Sequence, residues 1–283
     1  MKLFVAATLG ALTLGASGYS ISAFAADALT PERSSAGTFF GYVEGAYLFD
    51  EAGKGIWKGF GTEFHNNAGD GGSGAGQLGY RFDPNWDLSV RFMLWDHSQG
   101  KSDGDTFPNE YGVDKSNGYD VDAQIGYLLN SGPGTQVRAF AGLRYLNWKQ
   151  DSGFRPDSPL GCCGLDSDAW GLGPVAGVDA SYALSPQFSL IGGADVAVLF
   201  GDIKFSGGTS TPTGSDSRTY FNAGGYLGAQ YNLSNSLALA AGYRVDVITG
   251  ATFANQNIFN DPQGRGDIVN HGPFARLSFN FGG

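Results

Sequence analysis

The sequence predicts an all-β protein, a transmembrane antiparallel up-and-down β-barrel of about ten strands, and three observations carry that expectation. Segments with period-two alternation recur from Thr38 to the C-terminus. The gaps between them alternate strictly between tight turns and long polar stretches. The composition pairs 46 glycines and 14% aromatics with only 16% charged residues, whereas a soluble domain averages about 7% Gly and about 25% charge.

The strands expected from alternation are Thr38–Phe49, Gly74–Phe82, Trp86–Ser98, Tyr119–Leu129, Thr135–Gln150, Ala169–Leu184, Phe188–Phe205, Thr219–Leu233, Leu237–Ala251 and Gly272–Phe281. Bacterial barrels have even strand numbers. A hairpin hidden in the longest loops would change the count by two, so the range is about eight to twelve. The tight gaps are Asp83-Pro84-Asn85, Asn130 to Gly134, Ser185-Pro186-Gln187 and Ser234-Asn235-Ser236. Each carries the Pro, Gly, Asn, Asp or Ser chemistry of a tight turn. The long gaps fall near residues 50–73, 99–118, 152–168, 207–218 and 252–271. Short periplasmic turns and long extracellular loops produce such sorting and leave both termini in the periplasm.

The N-terminus reads as an export signal. Lys2 precedes an apolar run from Leu3 to Leu14, and Ala23-Phe24-Ala25 forms a small-x-small exit. An anchor helix needs about 20 apolar residues, and Gly15 to Ser22 is too polar to supply them. Residues 1–25 are therefore expected to be a cleaved signal peptide, 26–36 a short periplasmic segment, and 37–283 a single barrel domain in the Gram-negative outer membrane. No later stretch reaches the length and apolarity of a transmembrane helix. The net charge of −10 argues against nucleic acid or anionic lipid as the main partner.

Alternation assigns each strand two faces. In the ninth, Leu237, Leu239, Ala241, Tyr243, Val245 and Val247 share one face, and Ala238, Ala240, Gly242, Arg244 and Asp246 the other. In the fifth, Val137, Ala139, Ala141, Leu143 and Tyr145 alternate with Arg138, Phe140, Gly142, Arg144 and Leu146. An Arg facing lipid near the midplane costs about 2–4 kcal/mol, so the charged face is expected inside. A soluble sandwich would reverse this. Against the sandwich stand the export signal, the loop sorting, and the aromatics near strand ends: Phe39, Tyr47, Phe82, Tyr127, Tyr182, Tyr231 and Phe281. These suit interfacial girdles.

The last strand, His271-Gly-Pro-Phe-Ala-Arg-Leu-Ser-Phe-Asn-Phe281, resembles the closing strand of outer-membrane proteins, although Gly282 and Gly283 follow its final Phe. The segments Trp170-Gly-Leu-Gly-Pro-Val-Ala-Gly-Val-Asp-Ala-Ser-Tyr182 and Phe188-Ser-Leu-Ile-Gly-Gly-Ala194 are similar to a stretch of the Legionella-type major outer-membrane protein family. That resemblance implies a pore-forming barrel.

With charges turned inward, the lumen is expected to carry seven carboxylates, Glu44, Asp87, Asp120, Asp122, Asp179, Asp195 and Asp246. Facing them are six guanidiniums, Arg81, Arg91, Arg138, Arg144, Arg244 and Arg276. The lysines lie in loops (Lys54, Lys58, Lys101, Lys115) or at strand ends (Lys149, Lys204). Arginine's planar fork suits carboxylates in a confined space, so the lumen reads as an Arg–carboxylate ladder with Gln124, Gln136, Gln230 and Asn222 between its rungs. Two meanings stay open. The rows line a narrow pore for small ions or solutes, or they form a packed core, since ten strands lie near the eight that side chains can fill.

Asp103, Asp105, Glu110 and Asp114 make the second long loop acidic and would draw cations. The Gly and distal Glu of a calcium loop are missing, so no metal or other cofactor is expected. Cys162-Cys163 in the third loop leaves three outcomes: a vicinal disulfide, an intermolecular crosslink, or free thiols. An enzyme would need rim acids and bases. Asp96-His97, His65 and His271 are the candidates, but adjacent strand residues point to opposite faces, no serine motif accompanies them, and a rim histidine is usually polar surface. The expected function is a narrow, cation-preferring pore. The alternatives are a non-conducting structural or adhesive barrel displaying its loops and, remotely, a rim hydrolase. The expected partners are outer-membrane lipid and lipopolysaccharide, the barrel assembly machinery through the last strand, and small ions or solutes.

Overall fold

A computed structural model describes residues 36–50, 70–97, 113–130, 134–152, 165–207, 214–249 and 268–282. Within them lie ten strands: β1 (Thr38–Asp50), β2 (Gly71–Arg81), β3 (Trp86–His97), β4 (Val113–Asn130), β5 (Thr135–Ser152), β6 (Leu165–Ala183), β7 (Phe188–Gly207), β8 (Gly214–Asn232), β9 (Leu237–Thr249) and β10 (Ile268–Phe281). Each pairs antiparallel with its sequence neighbour, and β1 pairs with β10 to close the barrel. Closure removes every sheet edge, which is how a chain that crosses hydrocarbon as strands satisfies its backbone. The expected signal peptide, residues 26–35 of the expected periplasmic segment, His65, most of the acidic second loop and Cys162-Cys163 lie outside the described residues.

Local chemistry sets the tight end. Asp83 Oδ1 accepts from the Asn85 amide at 3.0 Å, and Ser185 Oγ accepts from Gln187 and Phe188 at 3.3 and 3.0 Å. Ser234 Oγ accepts from the Ser236 amide at 3.2 Å. These side chains satisfy amides that the ladder leaves open. Gly134, with φ of 77°, takes the left-handed conformation just before β5, at the end of the second tight turn.

The outer face is apolar. Val43, Leu78, Leu88, Val90, Leu143, Val196 and Leu227 are exposed there, as a lipid-facing band requires. Aromatics border it on both sides. At the tight-turn end Phe39 meets Tyr80, Trp86 meets Tyr127 and Phe188 meets Tyr231, with ring centroids 4.8, 4.8 and 5.0 Å apart. Toward the long-loop end Tyr47 lies 5.2 Å from Phe49, and Tyr145 joins Tyr119 at 6.0 Å and Trp170 at 6.5 Å.

Several strands begin earlier than alternation suggests: β4 at Val113 rather than Tyr119, β6 at Leu165, β8 at Gly214 and β10 at Ile268. Lys115, expected in a loop, is therefore an exposed strand residue. About 9–11 residues suffice to cross the bilayer, whereas β4 to β8 run to 18–20 residues. Above the lipid band the ladder continues, but its outer face no longer has to be apolar, so the alternation fades while the strand persists.

Candidate lumenal site

The charged side chains project into the lumen and form connected clusters. Nearest the tight-turn end, Arg138 donates to Asp87 at 2.7 Å, to Ser89 at 3.0 Å and to Asp179 at 3.2 Å. Tyr226 Oη donates to the same Asp179 at 3.0 Å. Gly126 clears the space: a Cβ there would fall 2.4 Å from Arg138 Nε and 2.5 Å from Asp87 Oδ1.

Higher up, Asp122 sits between two guanidiniums, Arg144 at 2.7 Å and Arg91 at 3.0 Å. Both also reach Asp195, at 2.7 and 3.6 Å, and Arg91 lies 3.4 Å from Asp120. Asn222 accepts a hydrogen bond from Arg144. On the opposite wall Glu44 joins Arg244 at 2.6 Å and Arg276 at 2.7 Å, and Arg244 also holds Asp246 at 2.8 Å. The Arg276 guanidinium is sandwiched between the Tyr42 and Tyr226 rings, 4.1 and 4.4 Å from their centroids, a favourable cation–π setting in a desolvated site.

Register explains much of this. Glu44 stands opposite Arg276, Arg91 opposite Asp122, Asp122 opposite Arg144, and Arg138 opposite Asp179. Cross-strand neighbours are the unit of sheet stabilisation, and here they are opposite charges. Arg81 differs. Its register partner is Asp87, which Arg138 engages through two nitrogens. No carboxylate among the described residues comes within ion-pair distance of Arg81, which instead lies over the Phe40 ring at 5.3 Å.

Above the charges the inward face changes character. Leu48, Trp95, Leu146, Trp148, Leu199, Ile203, Tyr220, Ile248 and Ile268 belong to one buried apolar cluster inside the barrel. Trp148 and Tyr220 meet edge-on at 4.8 Å. Sequence reasoning missed this layer because it took the inward face as polar along its whole length. The available signal was loss of alternation, as in the unbroken apolar run Ala197-Val198-Leu199-Phe200. A cavity of about 1150 Å³ is lined at the tight-turn end by Thr38, Arg81, Gln136, Gln230 and Asn280 and continues through the charged residues, where Glu44, Arg91, Arg138, Asp195, Arg244 and Arg276 line it. Gln124 bridges Ser89 at 3.3 Å and Asp122 at 3.2 Å.

The two described histidines do not gather. His97, read from sequence as rim surface, is buried inside the wall, with Nε2 3.0 Å from Asn270 Oδ1. Inward parity at the top of β3 buries it. Asp96 faces outward, and His271 contacts Tyr243 Oη at 2.5 Å on the outer face. Among the described residues no group of His, Cys, Asp and Glu has metal-binding geometry.

A profile of the Legionella pneumophila major outer membrane protein precursor matches residues 62–281. No curated protein matches the chain. Among solved structures, the outer membrane protease OmpT from Escherichia coli aligns with a TM-score of 0.55 at 12% identity, covering 89% of this chain and 98% of that one. The translocator domain of the autotransporter NalP from Neisseria meningitidis aligns at 0.44 with 9% identity, over 88% and 90% of the two chains. OprG from Pseudomonas aeruginosa aligns at 0.34 with 13% identity, over 88% and 98%. At such identities the OmpT likeness is one of fold, and protease chemistry is not carried with it.

Proposed function

The chain belongs to the Legionella pneumophila major outer membrane protein family, outer-membrane barrels of the Gram-negative envelope, and from that premise we propose that it forms a narrow pore of small conductance, closed at rest by its apolar layer. The observation that carries this reading is the division of the lumen: a cavity lined by the charged residues and reaching the tight-turn end, and a dry cluster around Trp148, Leu199 and Tyr220 above. Apolar constrictions gate by dewetting, and rings of charge set selectivity. The lumen holds one more carboxylate than guanidinium, and the acidic outer loops add to it, so cations are preferred. Short turns face the periplasm and long loops face outward, with lipid and lipopolysaccharide around the wall and ions or small solutes within. Catalysis has no place in this reading, because His97 and His271 stand on opposite faces of the wall.

A second reading, a non-conducting structural or adhesive barrel, is favoured by the complete burial of Trp148, Leu199 and Tyr220. Single-channel recording of refolded residues 26–283 in a planar bilayer separates the two. Small, salt-dependent, cation-selective steps support the pore. A heat-modifiable, correctly folded barrel without steps overturns it and leaves the structural reading.

A further inference from the structure

We propose that the tight-turn end of the lumen is a binding site for the carboxylate of a small organic acid, received by Arg81. Arg91, Arg138, Arg144, Arg244 and Arg276 each have a carboxylate within 4.0 Å. Arg81 has none among the described residues, although it is only 9% exposed and its Nε is buried without an acceptor. A buried, unpaired charge is costly, and proteins normally pair or solvate it. Asp87, its register partner, is gripped by Arg138 through Nε and Nη2 and lies beyond ion-pair distance of Arg81.

The setting of Arg81 suits a ligand. The Phe40 ring lies against its guanidinium at 5.3 Å, which holds the side chain while leaving nitrogen donors for a partner. Thr38 beside it donates its hydroxyl to the Gly282 carbonyl at 3.1 Å. Arg81 lines the cavity of about 1150 Å³, roomy against the usual 300–1,000 Å³ of small-molecule sites, roughly. Gln136 and Gln230, from β5 and β8, line the same cavity and offer amides to the remainder of a solute. Two coplanar oxygens match an arginine fork, so the ligand class is a carboxylate. The site does not depend on conduction: a barrel closed above it binds equally well from below.

The test is isothermal titration of the refolded barrel in detergent with benzoate, with inorganic phosphate as comparison. Saturable, salt-sensitive benzoate binding is expected. It should weaken about tenfold or more in Arg81→Gln and be partly rescued in Arg81→Lys, which keeps the charge but loses the fork. Heat-modifiability of each variant reports folding independently. Absent benzoate binding, equal binding by a folded Arg81→Gln variant, or tighter binding of phosphate than of benzoate each overturns the proposal. Because no current is measured, a silent barrel in the bilayer leaves this result standing, and the reverse also holds.

Discussion

Arg144 is nearly fully buried and engages Asp122, Asp195 and Asn222 together. Replacing it with Met would keep the volume but leave Asp122, itself fully buried, with Arg91 as its remaining cation. Removing one partner of a buried pair costs about 3–5 kcal/mol, more than the pair is worth against an apolar substitute. Arg144→Met should therefore lower the unfolding free energy of the refolded barrel by that amount, seen as a lower urea midpoint. An unchanged midpoint would mean that the network is solvated and open to water. Glycine matters at the same scale. Gly126→Val would push side-chain carbons into the space that Arg138 and Asp87 share, and the same loss of pairing is expected without removing any charge.

At the scale of a strand, parity decides everything. Val90 and Arg91 are neighbours in β3, yet Val90 is exposed to lipid and Arg91 reaches three carboxylates. Val90→Arg should destabilise the folded barrel by about 2–4 kcal/mol, while Val90→Leu should be neutral, read by unfolding in lipid vesicles. Equal stability of the two variants would argue that this face is not in hydrocarbon. Parity and turns were legible in the sequence. The Asp83, Ser185 and Ser234 side chains cap the turns that their composition announced. The upper ends of β4, β6, β8 and β10 were not legible, because a ladder outside the bilayer no longer needs the apolar alternation that reveals it.

For the whole molecule, the layering of the lumen sets the expected behaviour. If the dry cluster is the gate, then Trp148→Ala combined with Leu199→Ala removes its centre and should raise conductance or open time in single-channel recordings. Partial collapse of neighbouring side chains limits the gain. A folded double variant as silent as the parent would shift the assignment of closure to the Arg–carboxylate network below. The apolar cluster and the charged network are in contact. Arg244 reaches Met93, a member of the apolar cluster, and also Glu44 on another strand.

The sequence by itself pointed to an antiparallel barrel of about ten strands, to the sorting of short turns from long loops, and to strands with one apolar and one charged face. All of these follow from local periodicity and turn chemistry. Only the closed barrel decided which inward residues meet. Arg244 and Glu44 lie 200 positions apart and touch only because β10 closes onto β1 and brings β9 and β1 to its two sides. Arg91 and Arg144 share Asp195 across the lumen from different strands. The apolar layer and the unpaired Arg81 have the same origin. Whether an inward side chain finds a partner depends on the width of the barrel and the stagger of its strands, and both are set by closure of the whole sheet.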